Sequence, residues 1–228
     1  MSWYADFADT FYKCFIKDDR YKFLVDGIGV TIKVSLLAVA IGILIGLVIA
    51  LCNLSKNKFL NAIGKVYTDV IRGTPSVTQL MIIYFVVFAT VNWEKWIIAS
   101  IAFGINSGAY VSEIIRAGIQ SIDIGQTEAG RSLGLSAAKT MIYIVIPQAV
   151  KNIFPALCNE FIVLIKETAI VGYVGLVDIQ KAGDFIKSAT FEAFMPLIAT
   201  AIIYFVLIKI LTLVLGRIEA ALRKSEAR

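Results

Sequence analysis

Residues 34–52 read VSLLAVAIGILIGLVIALC, nineteen positions without a charge. A helix crosses a bilayer core about 30 Å thick in about 20 residues. A soluble helix of that length would show a polar face at every turn, and this one does not. The runs 82–92, 96–112 and 193–208 are equally free of charge. Across the chain 58% of residues are apolar and 17% charged, where soluble domains carry about 45–50% and about 25%. The chain therefore reads as an all-α integral membrane protein.

Working outward, the runs predict five spans at 25–53, 68–91, 96–118, 149–172 and 193–216. Thr74 as N-cap with Pro75 at the first helical position starts the second span. The fourth span is the least apolar, holding Asn152, Asn159, Glu160, Lys166 and Glu167, and Pro155 within it predicts a kink. The organisation expected is an extracytoplasmic segment 1–24, a membrane domain 25–216 and a cytoplasmic tail 217–228. With the N-terminus outside, the inner segments hold eleven lysines and arginines against seven in the outer ones. The positive-inside rule thus favours N-outside and C-inside. Trp93 and Trp96 flank a short outer turn, as in an interfacial aromatic belt.

Composition also excludes several functions. There is no histidine, so imidazole acid–base and metal chemistry are ruled out. Cys14, Cys52 and Cys158 are dispersed with no metal-like spacing, and no cofactor is expected. The basic residues form no patch with interleaved aromatics, so nucleic acid is not a partner. The first 24 residues mix four acids with four bases, unlike a secretory signal. No G-x-x-x-x-G-K-[ST] loop is present to cradle phosphates. The chain is not an enzyme on this reading, and any ATP hydrolysis belongs to another chain.

One segment, Gln120 to Ala149, is too polar to cross and too patterned to be a linker. Thr127 or Asp123 can cap a first short helix, and Gly134 is a left-handed stop after it. Ser136 can cap a second helix over 137–146. Such a knob suits docking into a partner's groove. It suits equally an amphipathic hairpin on the membrane surface.

Glu128-Ala129-Gly130, three residues, Gly134, nine residues, then Ile144-Val145-Ile146-Pro147 resembles the EAA loop of binding-protein-dependent ABC importer permeases. That family's pattern is Glu-Ala-Ala, three residues, Gly, nine residues, Ile-x-Leu-Pro. The resemblance implies coupling to an ATPase through Glu128, Ala129, Gly130, Gly134, Ile144 and Pro147. Gly130 stands for the second alanine and Ile146 for the leucine. The glycine is expected to cost the helix about 1 kcal/mol relative to alanine and so to loosen the loop.

Similarity runs from about Gly27 to Arg223. Arg72-Gly73-Thr74-Pro75, the stretch Ser107 to Ile119 and Asn159-Glu160-Phe161 resemble the branch handling polar amino acids (histidine, arginine, glutamine, glutamate, cystine). The resemblance implies a type I ABC importer permease in the bacterial cytoplasmic (inner) membrane, working by alternating access. Its implied partners are two ABC ATPase subunits, an extracytoplasmic solute-binding protein and a second permease subunit, identical or homologous. An ATP-independent secondary transporter is the alternative. It would call for internal inverted repeats or a dense line of charges, and no convincing repeat is evident.

The solute pathway is read from polar groups in the spans. At about 100° per residue, Ile153, Glu160 and Glu167 share one stripe of the fourth span, and Asn152, Asn159 and Lys166 another. Ionisable groups in a bilayer usually face a pathway or a partner. Glu160 lies about 20 Å along the helix from Pro147, placed to bind a substrate's ammonium or guanidinium group or to join two helices. Lys166 and Glu167 are candidates for substrate contact or an outer rim. Thr78, Gln79, Asn106 and Ser107 are pathway candidates too, with interhelical hydrogen bonding as the plainer role.

Overall fold

The computed structural model describes residues 3–224; Met1, Ser2 and 225–228, including the Arg228 counted in the charge bias, lie outside the described residues. Those described residues are helical, with turns and no strand. In order they form α1 (Trp3–Phe11), α2 (Tyr21–Leu54), α3 (Lys58–Arg72), α4 (Ser76–Ile82), α5 (Lys95–Gln120), α6 (Ile124–Ser132), α7 (Ala137–Thr140), α8 (Ile146–Glu167), α9 (Ile179–Thr190) and α10 (Phe194–Lys224). Among them four helical stretches are long and apolar enough to cross a membrane, or five if Lys58–Arg72 and Ser76–Val87 make one broken span.

The second span departs from expectation. The predicted second span begins at 68, after a short connection from the first span's end at 53. Instead Asn57 caps α3, its side chain accepting from the Phe59 N–H at 2.9 Å. The segment was hidden because α3 is amphipathic: Lys58, Asn61, Lys65, Asp69 and Arg72 line one side, while Phe59, Ile63, Val66 and Val70 are exposed on the other. The break falls at 73–75. Thr74 does not cap the following helix; its hydroxyl turns back to donate to the Val70 carbonyl at 2.8 Å. Pro75, expected at the first helical position, occupies the N-cap position of α4. The fourth span, α8, runs through Pro155 and continues into a 3-10 turn, Thr168–Val174.

The chain divides into two compact units, each assembled from three stretches. One comprises Met1–Ala38, Pro75–Phe103 and Val163–Leu211; the other comprises Val39–Thr74, Gly104–Ile162 and Thr212–Arg228. In the first, Cys14, Phe15 and Leu24 pack with Ala182 and Ile186 of α9, covered by Met195, Ala199 and Ile203 of α10. In the second, Gly42 and Gly46, one turn apart on α2, let α5 approach closely. A Cβ on Gly42 would meet Ser107 at 3.0 Å and one on Gly46 would meet Val111 at 2.5 Å. From the α5 side, Gly108 does the same against Ile45 at 2.8 Å. Small residues at this spacing are how membrane helices pack without a hydrophobic driving force. The same contact sets the position of Ser107.

Candidate functional site

Ser107 is fully buried on α5, and its hydroxyl donates to Glu160 Oε1 on α8 at 2.8 Å. Glu160 lines a cavity of about 580 Å³ together with Arg72, Tyr110, Glu113, Asn152 and Ser121. That size falls in the range of about 300–1,000 Å³ usual for small-ligand pockets. Two predicted pathway residues are thus brought together. The α8 stripes follow the expected angles: Ile153 is buried and Glu160 partly so, whereas Asn152 and Asn159 are exposed. At the end of the cavity away from Glu160, Asn152 Nδ2 donates to Ser121 Oγ at 2.8 Å. Asn106, beside Ser107, is also buried.

Glu113, inside the stretch Ser107 to Ile119, forms the cavity's densest charge contact. Arg116 grips it with two parallel donors, Nε to Oε1 at 3.1 Å and Nη2 to Oε2 at 2.7 Å. The fork geometry is the strongest form of a side-chain ion pair. Arg72 lies 3.9 Å from the same carboxylate and 5.4 Å from the centre of the Tyr110 ring. The missed signal was spacing: Glu113 and Arg116 are three residues apart, on one helix face.

The remaining pathway candidates belong to the other unit. Gln79 is buried and Thr78 exposed on α4, which packs against the 3-10 turn Thr168–Val174. Lys166 is exposed and Glu167 half-buried at the end of α8, just before that turn.

This unit also holds a buried carboxylate that the sequence reading passed over. Asp178 is fully buried. It caps α9 by accepting from the N–H groups of Gln180 at 3.2 Å and Lys181 at 2.9 Å, and it accepts from the Tyr204 hydroxyl at 3.0 Å. Burial pushes its carboxyl above the usual aspartate range, against the pull of these donors. Gly27 is small because of it: a Cβ there would sit 2.8 Å from the Asp178 backbone. Asp178 seals a joint and lines no cavity described here.

The segment 120–149 folds as two short helices. Asp123, rather than the alternative Thr127, caps α6, accepting from the Gly125 N–H at 2.6 Å. The helix closes in a Schellman motif, with Leu135 N–H to Gly130 O at 3.2 Å and Gly134 N–H to Arg131 O at 3.0 Å. Gly134 takes the left-handed φ of +83° that this closure needs. Ser136 caps α7, which passes through a π-turn, Met141–Val145, straight into α8 rather than ending before it.

Gly130 corrects an expectation. It is buried, and a Cβ would meet Ile144 at 2.7 Å and Thr140 at 2.8 Å. The glycine thus lets α6 seat against the second helix, so its lost helix propensity comes with a tighter elbow rather than a looser one. Glu128, Ala129 and Pro147 are exposed, and Ile144 is partly buried. Ile124, Leu133, Ile142 and Tyr143 add exposed apolar surface to the same knob.

Residues 42–224 match the family described as binding-protein-dependent transport system inner membrane component. The arginine transport system permease protein of Bacillus subtilis (strain 168) is 41% identical over 206 residues, covering 90% of this chain and 94% of that protein. The glutamine transport system permease protein of Escherichia coli (strain K12) is 34% identical over 203 residues, covering 88% and 93%. Among solved structures, an amino acid ABC transporter crystallised with histidines matches with a TM-score of 0.83 at 44% identity, covering 91% of this chain and 98% of that one. The chain belongs to the binding-protein-dependent transport system inner membrane components, the permeases of ABC transporters.

Proposed function

We propose that the chain is the permease subunit of an ATP-driven importer for a polar amino acid. The observation that carries this is the Glu160 carboxylate, held by Ser107 on the wall of a small-ligand-sized cavity. A carboxylate among apolar helices is costly to keep unless it serves a pathway or a partner. It suits the ammonium or guanidinium of a zwitterionic or cationic amino acid, and the named cargoes of the arginine and glutamine relatives are of this kind. Ser107 and Asn106 share the site. Thr78, Gln79, Lys166 and Glu167 stand as further contacts along the route.

Energy enters through the knob. Its exposed Glu128 and Ala129, the elbow at Gly134 and the Ile144–Pro147 stretch form the surface that seats on an ATPase subunit. Gly130 keeps that surface rigid from beneath. Hydrolysis belongs to the ATPase, in two copies, and the permease pairs with a second permease subunit, identical or homologous. A solute-binding protein delivers cargo from outside. The N-terminus lies outside and the tail 217–228 in the cytoplasm, which puts the knob on the ATPase side. Alternating access moves the cavity from one side to the other.

Co-purification with an ABC ATPase, followed by ATPase rates over an amino-acid panel with the binding protein present, tests the proposal. Stimulation by one or a few polar amino acids is expected. Failure to associate with any ABC ATPase, with uptake driven by an ion gradient alone, favours the secondary-transporter reading instead.

A further inference from the structure

Arg72 is the last residue of α3, and its side chain lines two cavities at once. One is the cavity of Glu160; the other, of about 480 Å³, is lined by Lys65, Asp69, Glu113 and Arg116 among others. In the second cavity Lys65, Arg72 and Arg116 stand with Asp69 and Glu113, three positive groups to two negative, and Glu160 of the first cavity supplies the third negative group. Of the two arginines at Glu113, Arg116 is the committed one. Arg116 occupies both oxygens of Glu113 and gives its remaining Nη1 donor to Gln120 Oε1 at 2.8 Å.

Arg72 itself is loosely held. Its approach to Glu113, at 3.9 Å, is outside hydrogen-bonding distance. Its second contact is the Tyr110 ring, which orients the guanidinium without using its N–H groups. The side chain is 47% exposed. A guanidinium is a planar fork of five donors matched to a carboxylate. On the wall of a cavity, a guanidinium with no hydrogen-bonding acceptor of its own is placed to take one from a ligand.

The same cavity therefore carries a carboxylate at Glu160 and an open guanidinium at Arg72. A free amino acid carries the complementary pair. We infer that Arg72 receives the α-carboxylate of the amino acid whose cationic end faces Glu160, so that the cavity selects for an intact zwitterion. The inference rests on the reading of Glu160 as a substrate contact. It adds a second pole, and with it a reason for the cavity to reject simple amines. The structural alternative is that Arg72 merely complements the C-terminal dipole of α3.

The two are separated by ligands that differ only in the carboxylate. The purified complex of the permease with its ATPase, without the binding protein, is titrated calorimetrically with L-arginine against agmatine and with L-glutamine against 4-aminobutanamide. The wild type is expected to favour the amino acid at least tenfold in the pair it recognises. In Arg72→Gln that preference should shrink to about twofold or less, while the amine's own affinity stays put. Arg72→Lys should keep part of the preference. An undiminished preference in Arg72→Gln overturns the inference. So does a wild-type protein that binds amine and amino acid equally, a result that needs no variant to fold. Glu160→Gln distinguishes the underlying reading: it should weaken amine and amino acid alike, and if it weakens neither, the Glu160 assignment fails whatever Arg72 does.

Discussion

Asp178 and Glu160 are both acidic side chains that accept a hydroxyl hydrogen bond inside a helical unit, yet they are built for different purposes. Asp178 is fully buried and satisfied by two backbone N–H groups and the Tyr204 phenol. Glycine at position 27 brings the neighbouring backbone against it. Glu160 is only partly buried, bonded by Ser107, and stands on the wall of a cavity. A buried carboxylate surrounded by fixed donors is a fastening, and one beside open volume can exchange partners. Burial alone does not mark a functional acid; adjoining space does.

The largest expected effect breaks the fastening. Asp178→Ala removes a helix cap worth about 1 kcal/mol and takes the carboxylate acceptor from the half-buried Tyr204 hydroxyl, a further about 1 kcal/mol or more. Thermal unfolding in detergent should drop by several degrees, and the substrate affinity of protein that remains folded should be unchanged. Next in size is Glu160→Gln, which keeps an acceptor for Ser107 but removes the charge. Charged hydrogen bonds contribute about 1.5–3 kcal/mol, so affinity for a cationic or zwitterionic amino acid should fall tenfold or more at nearly unchanged melting temperature. A large loss of stability with normal affinity would make Glu160 a second fastening.

Single-hydroxyl deletions sharpen the contrast at about 1 kcal/mol each. Tyr204→Phe should register in thermal stability and not in binding; Ser107→Ala should register in binding, by about threefold to tenfold, and little in stability. Both are measured on one preparation by thermal shift and ligand titration. If the two variants move the same readout, the two acids are not different in kind.

The smallest effect is a pH trend. Burial raises the carboxyl of Asp178 above its ordinary value, so between the two values the folded state binds a proton that the unfolded state does not. Stability from this group therefore falls as pH rises through the raised value and is flat above it. Asp178→Asn removes the titration. The stability of the wild type relative to this variant should rise on acidification and level off below the ordinary aspartate range. A gap that moves the other way contradicts the assignment.

The legibility of these features in the sequence follows their physics. Uncharged runs announce spans because lipid tolerates few alternatives, and Glu160 stood out as an ionisable group well inside the predicted fourth span. Gly134 and Ser136 were readable because a left-handed turn and an N-cap are local events. α3 was not readable as a separate helix, since its charges on one face resemble those of a cytoplasmic loop. Gly130 was misread because its value depends on Thr140 and Ile144, ten and fourteen residues away. Asp178 looked like an ordinary loop acid until Tyr204 and Gly27 closed over it. Glu113 and Arg116 lay within the stretch that carries the resemblance, and their three-residue spacing on one helix face offered the pair.

Uptake of a labelled polar amino acid into proteoliposomes tests the account most directly, with the permease, its ATPase and its binding protein present and the ATP placed on the ATPase side. Accumulation that requires ATP and falls tenfold or more in initial rate at subsaturating substrate for Glu160→Gln, with Asp178→Asn close to wild type, is the predicted result. Accumulation that proceeds without ATP, or that is indifferent to Glu160, would contradict it.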